Sequence, residues 1–146
     1  MSPEEQLDII RKLCEEDDSF PPMAYCFVRD SVHKALDLIS KKAKKSLQPS
    51  YVDDDNAPPD ISGASLTYFL RDVLLSEFGP FAIDVLDAWH ITKTQDFGTI
   101  VYKLVSVDIL GKSENDSIED FDDVFDFVKT FVLPFKQGTD KLPKRL

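Results

Sequence analysis

The chain has 146 residues, a length that suits one domain with a sizeable core. Hydrophobic residues make up 42% of it and include 11 phenylalanines, so the sequence should fold rather than stay disordered. Its 17 Lys and Arg against 27 Asp and Glu leave a formal net charge of −10. That excess disfavours nonspecific binding to nucleic-acid phosphates, which requires cations, and it favours solubility and a basic protein partner.

The cysteines and the N-terminal residues predict a cytoplasmic protein. Cys14 and Cys26 do not form a CxxC pair, and we expect both to be reduced. The first residues, MSPEEQLDIIRK, are acidic and polar, unlike a secretory signal peptide. No apolar run approaches the roughly 20 residues that span a bilayer, so no membrane segment is expected.

Two helices are predicted in the N-terminal third. Ser2 can cap the first amides and Pro3 suits a first turn, and the apolar spacing then carries this helix to about Glu16. The second helix is predicted from about Met23 to Lys45. Its last five residues contain four lysines, which the negative end of the helix dipole favours. Contact with nucleic acid is the alternative, but no aromatic residue is interleaved there to stack on bases.

Residues 46–61, SLQPSYVDDDNAPPDI, form the clearest linker. Their three prolines and four aspartates predict a mobile acidic loop inside one domain. The run Asp53-Asp54-Asp55-Asn56 suggests calcium, but the turn glycine and the closing glutamate of an EF-hand loop are missing. We therefore predict no metal site here and a single helical domain over residues 1–135.

A third and a fourth helix are predicted after the linker. Ser62 or Ser65 can cap the third helix, Gly79 is a natural end for it, and Pro80 can open the fourth. The fourth helix is expected to bury four apolar side chains, those of Phe81, Val85, Leu86 and Trp89.

A fifth helix is predicted from Thr92 or Thr94, either of which can cap it, and Gly111 can end it. Asp96 would lie in its first turn and stabilise free amides there. Because these helices are short, amphipathic and closely connected, they must bury their apolar stripes against one another. The sequence thus predicts a mainly α protein, a compact bundle of five to six helices.

The segment Ser113–Asp126 leaves two structures open. It holds seven acidic residues and no basic one. Ser117-Ile118-Glu119-Asp120 resembles a capping sequence and favours a sixth helix. Alternatively, residues 124–128 pair with residues 108–112 as a short two-stranded wing, which would make the last helices a winged helix. Beyond it, the Lys- and Arg-rich residues 136–146 are predicted to be a flexible basic tail.

Several short pieces of the chain share one pattern: Ser62-Gly63, Phe78-Gly79-Pro80, Val85-Leu86-Asp87-Ala88-Trp89, Thr94 to Tyr102, Leu110-Gly111-Lys112, Asp116 to Phe121, and Phe125-Asp126-Phe127, with a weaker match at Ala24 to Val28 and Ala35-Leu36. In these pieces the chain resembles a small bacterial family of no assigned activity, the Minf-type proteins of verrucomicrobial and planctomycete genomes. The family prefers a glycine at the position of His90, and Val107-Asp108-Ile109 replaces a more usual Ala-Gly-Leu step. The resemblance implies no reaction, cofactor or catalytic residue.

The residues themselves predict no catalytic, cofactor-binding or metal-binding site. The only histidines are His33 and His90, and neither has a second ligand at the spacing of a zinc site. His90 is expected at a helix end in a structural role. Gly111-Lys112-Ser113 has the tail of a phosphate loop but not its leading glycine. The acidic side chains are best interpreted as solvated.

The most favoured function is a non-enzymatic acidic protein-interaction module. Its candidate partner-binding residues are Asp116, Glu119, Asp120, Asp122 and Asp123, facing a basic protein. A nucleic-acid-associated regulator of the winged-helix type is the first alternative, although its reading helix would carry Lys103 as its sole cation. An enzyme with an unrecognised carboxylate site is the second.

Overall fold

The computed structural model describes residues 1–45, 61–111 and 117–136, and the side chains of residues 42–45 are not among them. Within these ranges the chain is helical and no strand occurs, which confirms the mainly α bundle. Residues 118–121 form a 3-10 helix followed by turns, so the wing is not found in the described part of 108–128. The predicted acidic loop and basic tail lie, apart from Ile61 and Lys136, outside the described residues.

Helix α1 spans Pro3–Glu16 and helix α2 spans Pro22–Lys45, as predicted to within a residue. The start of α1 is a capping box, in which the Ser2 hydroxyl accepts from the Glu5 amide (3.2 Å) and the Glu5 carboxylate accepts from the Ser2 amide (3.1 Å). The sequence pattern predicts Ser2 as the cap and Pro3 in the first turn of α1, as the structure has them. The prediction succeeds because hydrogen bonds between neighbouring residues determine where such a helix begins.

Helix α3 spans Gly63–Phe78, with the Ser62 hydroxyl accepting from the Ser65 amide (3.1 Å). It ends at Gly79, whose φ of +53° is the conformation that glycine adopts without strain. Both predicted boundaries are confirmed.

A short 3-10 helix, Gly79–Phe81, precedes helix α4, which spans Ala82–Ala88. Leu86 is buried as predicted, and Val85 and Trp89 are half-buried. The prediction for Phe81 is wrong, because its side chain is 67% exposed. The sequence predicts an α-helix that begins at Pro80, whereas the 3-10 turn rotates Phe81 away from the buried side of α4, which Ala82 and Leu86 form.

Helix α5 spans Thr94–Ser106. The two residues before it are held from inside the helix, since the Asp96 carboxylate accepts from the backbone amides of Thr92 (2.8 Å) and Lys93 (3.3 Å). The helix ends before the predicted Gly111: Asp108 has a φ of +63°, and the Ile109 amide donates to the carbonyl of Leu104 (3.0 Å). A left-handed aspartate therefore supplies the turn that the sequence assigned to glycine.

The chain continues through the 3-10 helix Ile118–Phe121 to a π-helical turn, Val128–Val132, extended by α-helical residues up to 136. An aromatic cluster joins this part to α5. The Phe127 ring lies 6.0 Å from that of Phe97 and 5.3 Å from that of Phe131, and Phe125 contacts both Phe127 and Phe131. The sixth predicted helix is thus two short helical segments packed on the bundle.

Candidate functional site

The predicted acidic residues lie on a segment that a phenylalanine anchors to the bundle. Phe121 is 2% exposed. A β-carbon built on Gly63 of α3 would lie 2.9 Å from its ring, and one built on Gly98 of α5 would lie 2.8 Å from it. Because neither glycine has a side chain, a slot is left open between α3 and α5, and the Phe121 ring occupies it.

Thr94 holds the backbone of the same segment. Its side chain, 1% exposed, donates to the carbonyl of Phe121 (2.7 Å) and accepts from the amide of Val124 (3.1 Å). One buried hydroxyl thus satisfies two backbone groups, the Phe121 carbonyl and the Val124 amide. Thr94 was predicted as a possible helix cap, whereas the structure uses it to hold residues 121–124 in place.

Tyr68 of α3 holds the far side of the segment. Its hydroxyl donates to the carbonyl of Val124 (3.3 Å), and its ring lies 5.8 Å from that of Phe125. The Arg71 guanidinium lies over the Tyr68 ring, 5.0 Å from its centroid. The segment is therefore held from both α3 and α5.

The anchoring leaves most of the candidate carboxylates in solvent. Glu119, Asp122 and Asp123 are exposed. Asp120 is half-buried, because its β-carbon lies against Gly63 and its carboxylate accepts from the Ser117 amide (3.2 Å). Asp116 lies outside the described residues. We call the three exposed carboxylates of Glu119, Asp122 and Asp123, together with Asp120, the acidic surface.

Local hydrogen bonds reach two carboxylates of this surface. The Ser117 side chain, followed by the backbone of Glu119 itself, lowers the pKa of the Glu119 carboxyl from its ordinary value. The Gln95 side-chain amide donates to the Asp123 carboxylate (3.3 Å), and Asp123 has a φ of +47°. Asp96, which the sequence placed in the first turn of α5, is engaged with the amides of that helix start and does not belong to the surface.

An open cleft of about 350 Å³ adjoins the acidic surface, between the start of α5 and the segment that follows Phe121. Its lining consists of Thr92, Lys93, Gln95, Asp123, Phe125, Asp126 and Phe127. No histidine or cysteine lies among these residues. In the described part of the chain, no group of three or more potential ligands is placed to hold a metal ion.

The histidines and cysteines lie away from this cleft. His33 is exposed, as predicted. His90 has a φ of +64° and its Nδ1 lies 3.1 Å from the carbonyl oxygen of Ser19, so a protonated Nδ1 donates to the connection between α1 and α2. Cys14 and Cys26 are free thiols, and burial raises the pKa of both, which disfavours the reactive thiolate.

The comparisons with known proteins add no assignment. No protein-family model, no curated protein and no solved structure matches the chain. The resemblance to the Minf-type family therefore stays a prediction. Among the described helices, none is both long enough and apolar enough to cross a membrane.

Sequence reasoning missed the slot and the double role of Thr94. A signal for the slot was present, since a glycine inside an amphipathic helix, as at Gly98, indicates a close approach by another part of the chain. The residue that approaches Gly98 could not be identified from the sequence, because Phe121 follows 23 positions later and lies in a different helical segment. The role of Thr94 depends on the same approach.

Proposed function

We propose that this chain is a non-enzymatic, cytoplasmic interaction module whose acidic surface binds a basic protein partner. The observation that carries the proposal is the anchoring of the acidic segment: Phe121 fills a slot between two helices, and Thr94 bonds its backbone at two points. A surface that is already ordered loses less conformational entropy when a partner binds.

The charge pattern supports a basic partner. Glu119, Asp122 and Asp123 are exposed, and the net charge of the whole chain is −10. Exposed charges of one sign speed the encounter with a partner of the opposite sign and discriminate against wrong partners, and both effects weaken as salt rises.

The nucleic-acid alternative has less support. Lys103, the sole cation of α5, forms an ion pair with Asp17. The hydrogen bond from Lys103 is the main cause that holds the pKa of the Asp17 carboxyl well below its usual range, and Ser19 adds to it. A reading helix whose cation is neutralised within the protein, beside an acidic segment, is poorly suited to phosphate contacts.

The enzyme alternative also has less support. A carboxylate pair works in catalysis when the surroundings push the two pKa values apart, usually by burial. The carboxylates of Glu119, Asp122 and Asp123 are exposed, and the cleft beside them is open. These surroundings favour charge–charge contact over proton transfer.

The test is affinity capture from a cell extract with three exposed acids neutralised, Glu119→Gln, Asp122→Asn and Asp123→Asn. Asp120 stays unchanged because it packs against Gly63. The matched control neutralises three exposed acids elsewhere, Glu15→Gln, Glu16→Gln and Asp18→Asn, which gives the same net charge.

Mass spectrometry of the captured proteins should then identify a basic partner that the wild type and the control retain at low salt and that the acidic-surface variant loses. High salt should release this partner from the wild type as well, because it shortens the range of exposed charges. Equal retention by the two triple variants would rule out the acidic surface as the binding site.

A further inference from the structure

We propose that this protein forms a weak symmetric dimer through a groove between α2 and α3. The groove has a volume of about 250 Å³ and is lined by Lys34 and Leu38 of α2 and by five residues of α3, among them Phe69, Val73 and Glu77. None of its residues belongs to the acidic surface, and the inference goes beyond the function proposed above.

Both helices contribute apolar side chains to the groove. Leu38 of α2 is 43% exposed, Phe69 of α3 is half-buried, and Val73 of α3 is 8% exposed. A second molecule that covers these side chains removes apolar surface from water, which favours association. Because the apolar area is small, the association should be weak and should depend on the charges around it.

Two charged side chains of the groove, Lys34 and Glu77, form no ion pair with a described residue. The other described Lys, Arg, Asp and Glu side chains of α2 and α3 form three ion pairs: Arg29–Asp30, Lys41–Asp37 and Arg71–Asp72. Lys34 and Glu77 are both exposed and line the same groove, yet they do not form an ion pair with each other. Each is therefore available to a charge of opposite sign on another molecule.

The arrangement of these two charges identifies the partner. Lys34 lies on the α2 side of the groove and Glu77 on the α3 side. A basic helix in the groove would meet Lys34 as a like charge, and an acidic helix would meet Glu77 as a like charge. A second copy of the chain carries both charges, and a two-fold axis along the groove places Lys34 of each copy opposite Glu77 of the other.

The same charges determine the direction of the two-fold axis. An axis across the groove would lay α2 on α2 and α3 on α3, so that like charges would face each other. An axis along the groove lays α2 of each copy on α3 of the other and pairs Lys34 with Glu77 on both sides. Such an interface uses the same surface of both copies, which closes the assembly at a dimer.

The test is sedimentation equilibrium of the wild type and of two charge reversals, Lys34→Glu and Glu77→Lys. Protein concentrations up to about 0.5 mM are needed, because small interfaces give weak dimers. The matched controls reverse two exposed charges of α1, Lys12→Glu and Glu16→Lys. They change the net charge of −10 by the same amount in each direction, which matters because a large net charge opposes self-association.

The wild type and both controls should dimerise. Each groove variant should dimerise at least about tenfold more weakly, since both contacts then join like charges. An equimolar mixture of Lys34→Glu with Glu77→Lys should regain the wild-type affinity to within about threefold, because both contacts again join opposite charges. The mixture of the two control variants should show no such gain over its components.

The apolar contribution is tested with a matched pair of leucines. Leu38→Ser removes a 43% exposed side chain of the groove and should weaken the dimer by about threefold or more. Leu133→Ser removes a 42% exposed side chain outside the groove and should leave the dimer unchanged. Circular dichroism checks that all variants keep the helical fold.

Three results would overturn the inference. The first is a wild type that stays monomeric at every concentration. The second is a dimer that Lys34→Glu and Glu77→Lys weaken no more than the two controls do. The third is a mixture of these two groove variants that dimerises no better than its components, since the two charges would then not face each other.

Dimerisation and the proposed function depend on different residues and can fail separately. The acidic-surface variant that neutralises Glu119, Asp122 and Asp123 should dimerise as its matched triple control does, because none of the three residues lines the groove. Loss of the dimer through Lys34→Glu, with rescue by Glu77→Lys, would support the groove whatever the fate of the acidic surface.

Discussion

The Phe121 ring lies so close to the α-carbon of Gly98 that a β-carbon at this glycine would come within 2.8 Å of it. Gly98 is in the interior of α5, where glycine is unfavourable for the helix by about 1 kcal/mol relative to alanine. The close contact gives the reason for a glycine in this position, since it lets the ring enter between α3 and α5 and thereby anchor the acidic segment.

Gly98→Ala should destabilise the protein by about 1–3 kcal/mol despite the better helix propensity of alanine, because the new methyl group overlaps the ring of Phe121. Urea unfolding followed by circular dichroism measures the change. Gly111→Ala is the control, since no atom of the described residues lies within 4 Å of a β-carbon at that position. Adding Phe121→Leu to Gly98→Ala should cost less than the sum of the two single changes, because both act on one contact. An unaltered unfolding free energy for Gly98→Ala would contradict the slot.

Thr94→Val should destabilise the fold by about 1–3 kcal/mol, since it leaves the Phe121 carbonyl and the Val124 amide without their partner while keeping the size of the side chain. Thr99→Val is a matched control on the same helix, where the hydroxyl only donates to the Gln95 carbonyl of the preceding turn. Hydrogen exchange should show faster exchange of the Val124 amide in Thr94→Val. Similar unfolding free energies for the two variants would argue against this role.

Asp108→Gly should stabilise the protein by about 0.5–1 kcal/mol, because the residue has a φ of +63°, a conformation that costs a residue with a β-carbon more than it costs glycine. Asp108→Asn is the control for the lost charge, since asparagine also tolerates this conformation. His90→Gly should gain less, because it removes the contact between His90 Nδ1 and the Ser19 carbonyl. The measurement is the thermal midpoint, and a lower midpoint for Asp108→Gly than for Asp108→Asn would contradict the argument.

Tyr25 should make the fold sensitive to alkaline pH. Its side chain is buried, and burial raises the pKa of the phenol to about 12. A raised pKa means that stability is fully present below the unfolded-state value, about 10, and is lost as pH rises from there through the folded-state value. The loss should reach about 3 kcal/mol for a shift of two pKa units.

Tyr25→Phe should flatten this alkaline dependence. At neutral pH the substitution should be neutral or stabilising by about 1 kcal/mol, because the Tyr25 hydroxyl has no hydrogen-bond partner among the described residues. Thermal unfolding of both proteins between neutral and alkaline pH measures the difference. Parallel pH profiles for wild type and Tyr25→Phe would refute the assignment to this residue.

The predictions that held are those that depend on neighbours along the chain. Ser2, Ser62 and Gly79 lie at the helix ends where the sequence placed them, because a cap is formed by hydrogen bonds and dihedral angles within a few residues. The prediction that Phe81 is buried is wrong for a related reason. A 3-10 turn of three residues was enough to change which side of α4 it faces, and apolar spacing does not distinguish such a turn from a full helix start.

Two left-handed positions could not be predicted from the residues. His90 and Asp108 both have a positive φ, although neither is a glycine. Composition and periodicity alone carry no trace of this, because histidine and aspartate occur in every kind of element. Asp108, rather than the predicted Gly111, consequently ends α5.

By itself the sequence determined five amphipathic helices, most of their ends and the excess of negative charge, since each depends on residue type and short-range spacing. Only the tertiary structure decided that Phe121 enters between Gly63 and Gly98, that Thr94 bonds a distant backbone, and that Phe81 and Met23 stay in solvent. These facts depend on which surfaces meet across tens of residues. That choice is made by the packing of the whole core, in which many local patterns compete for the same space.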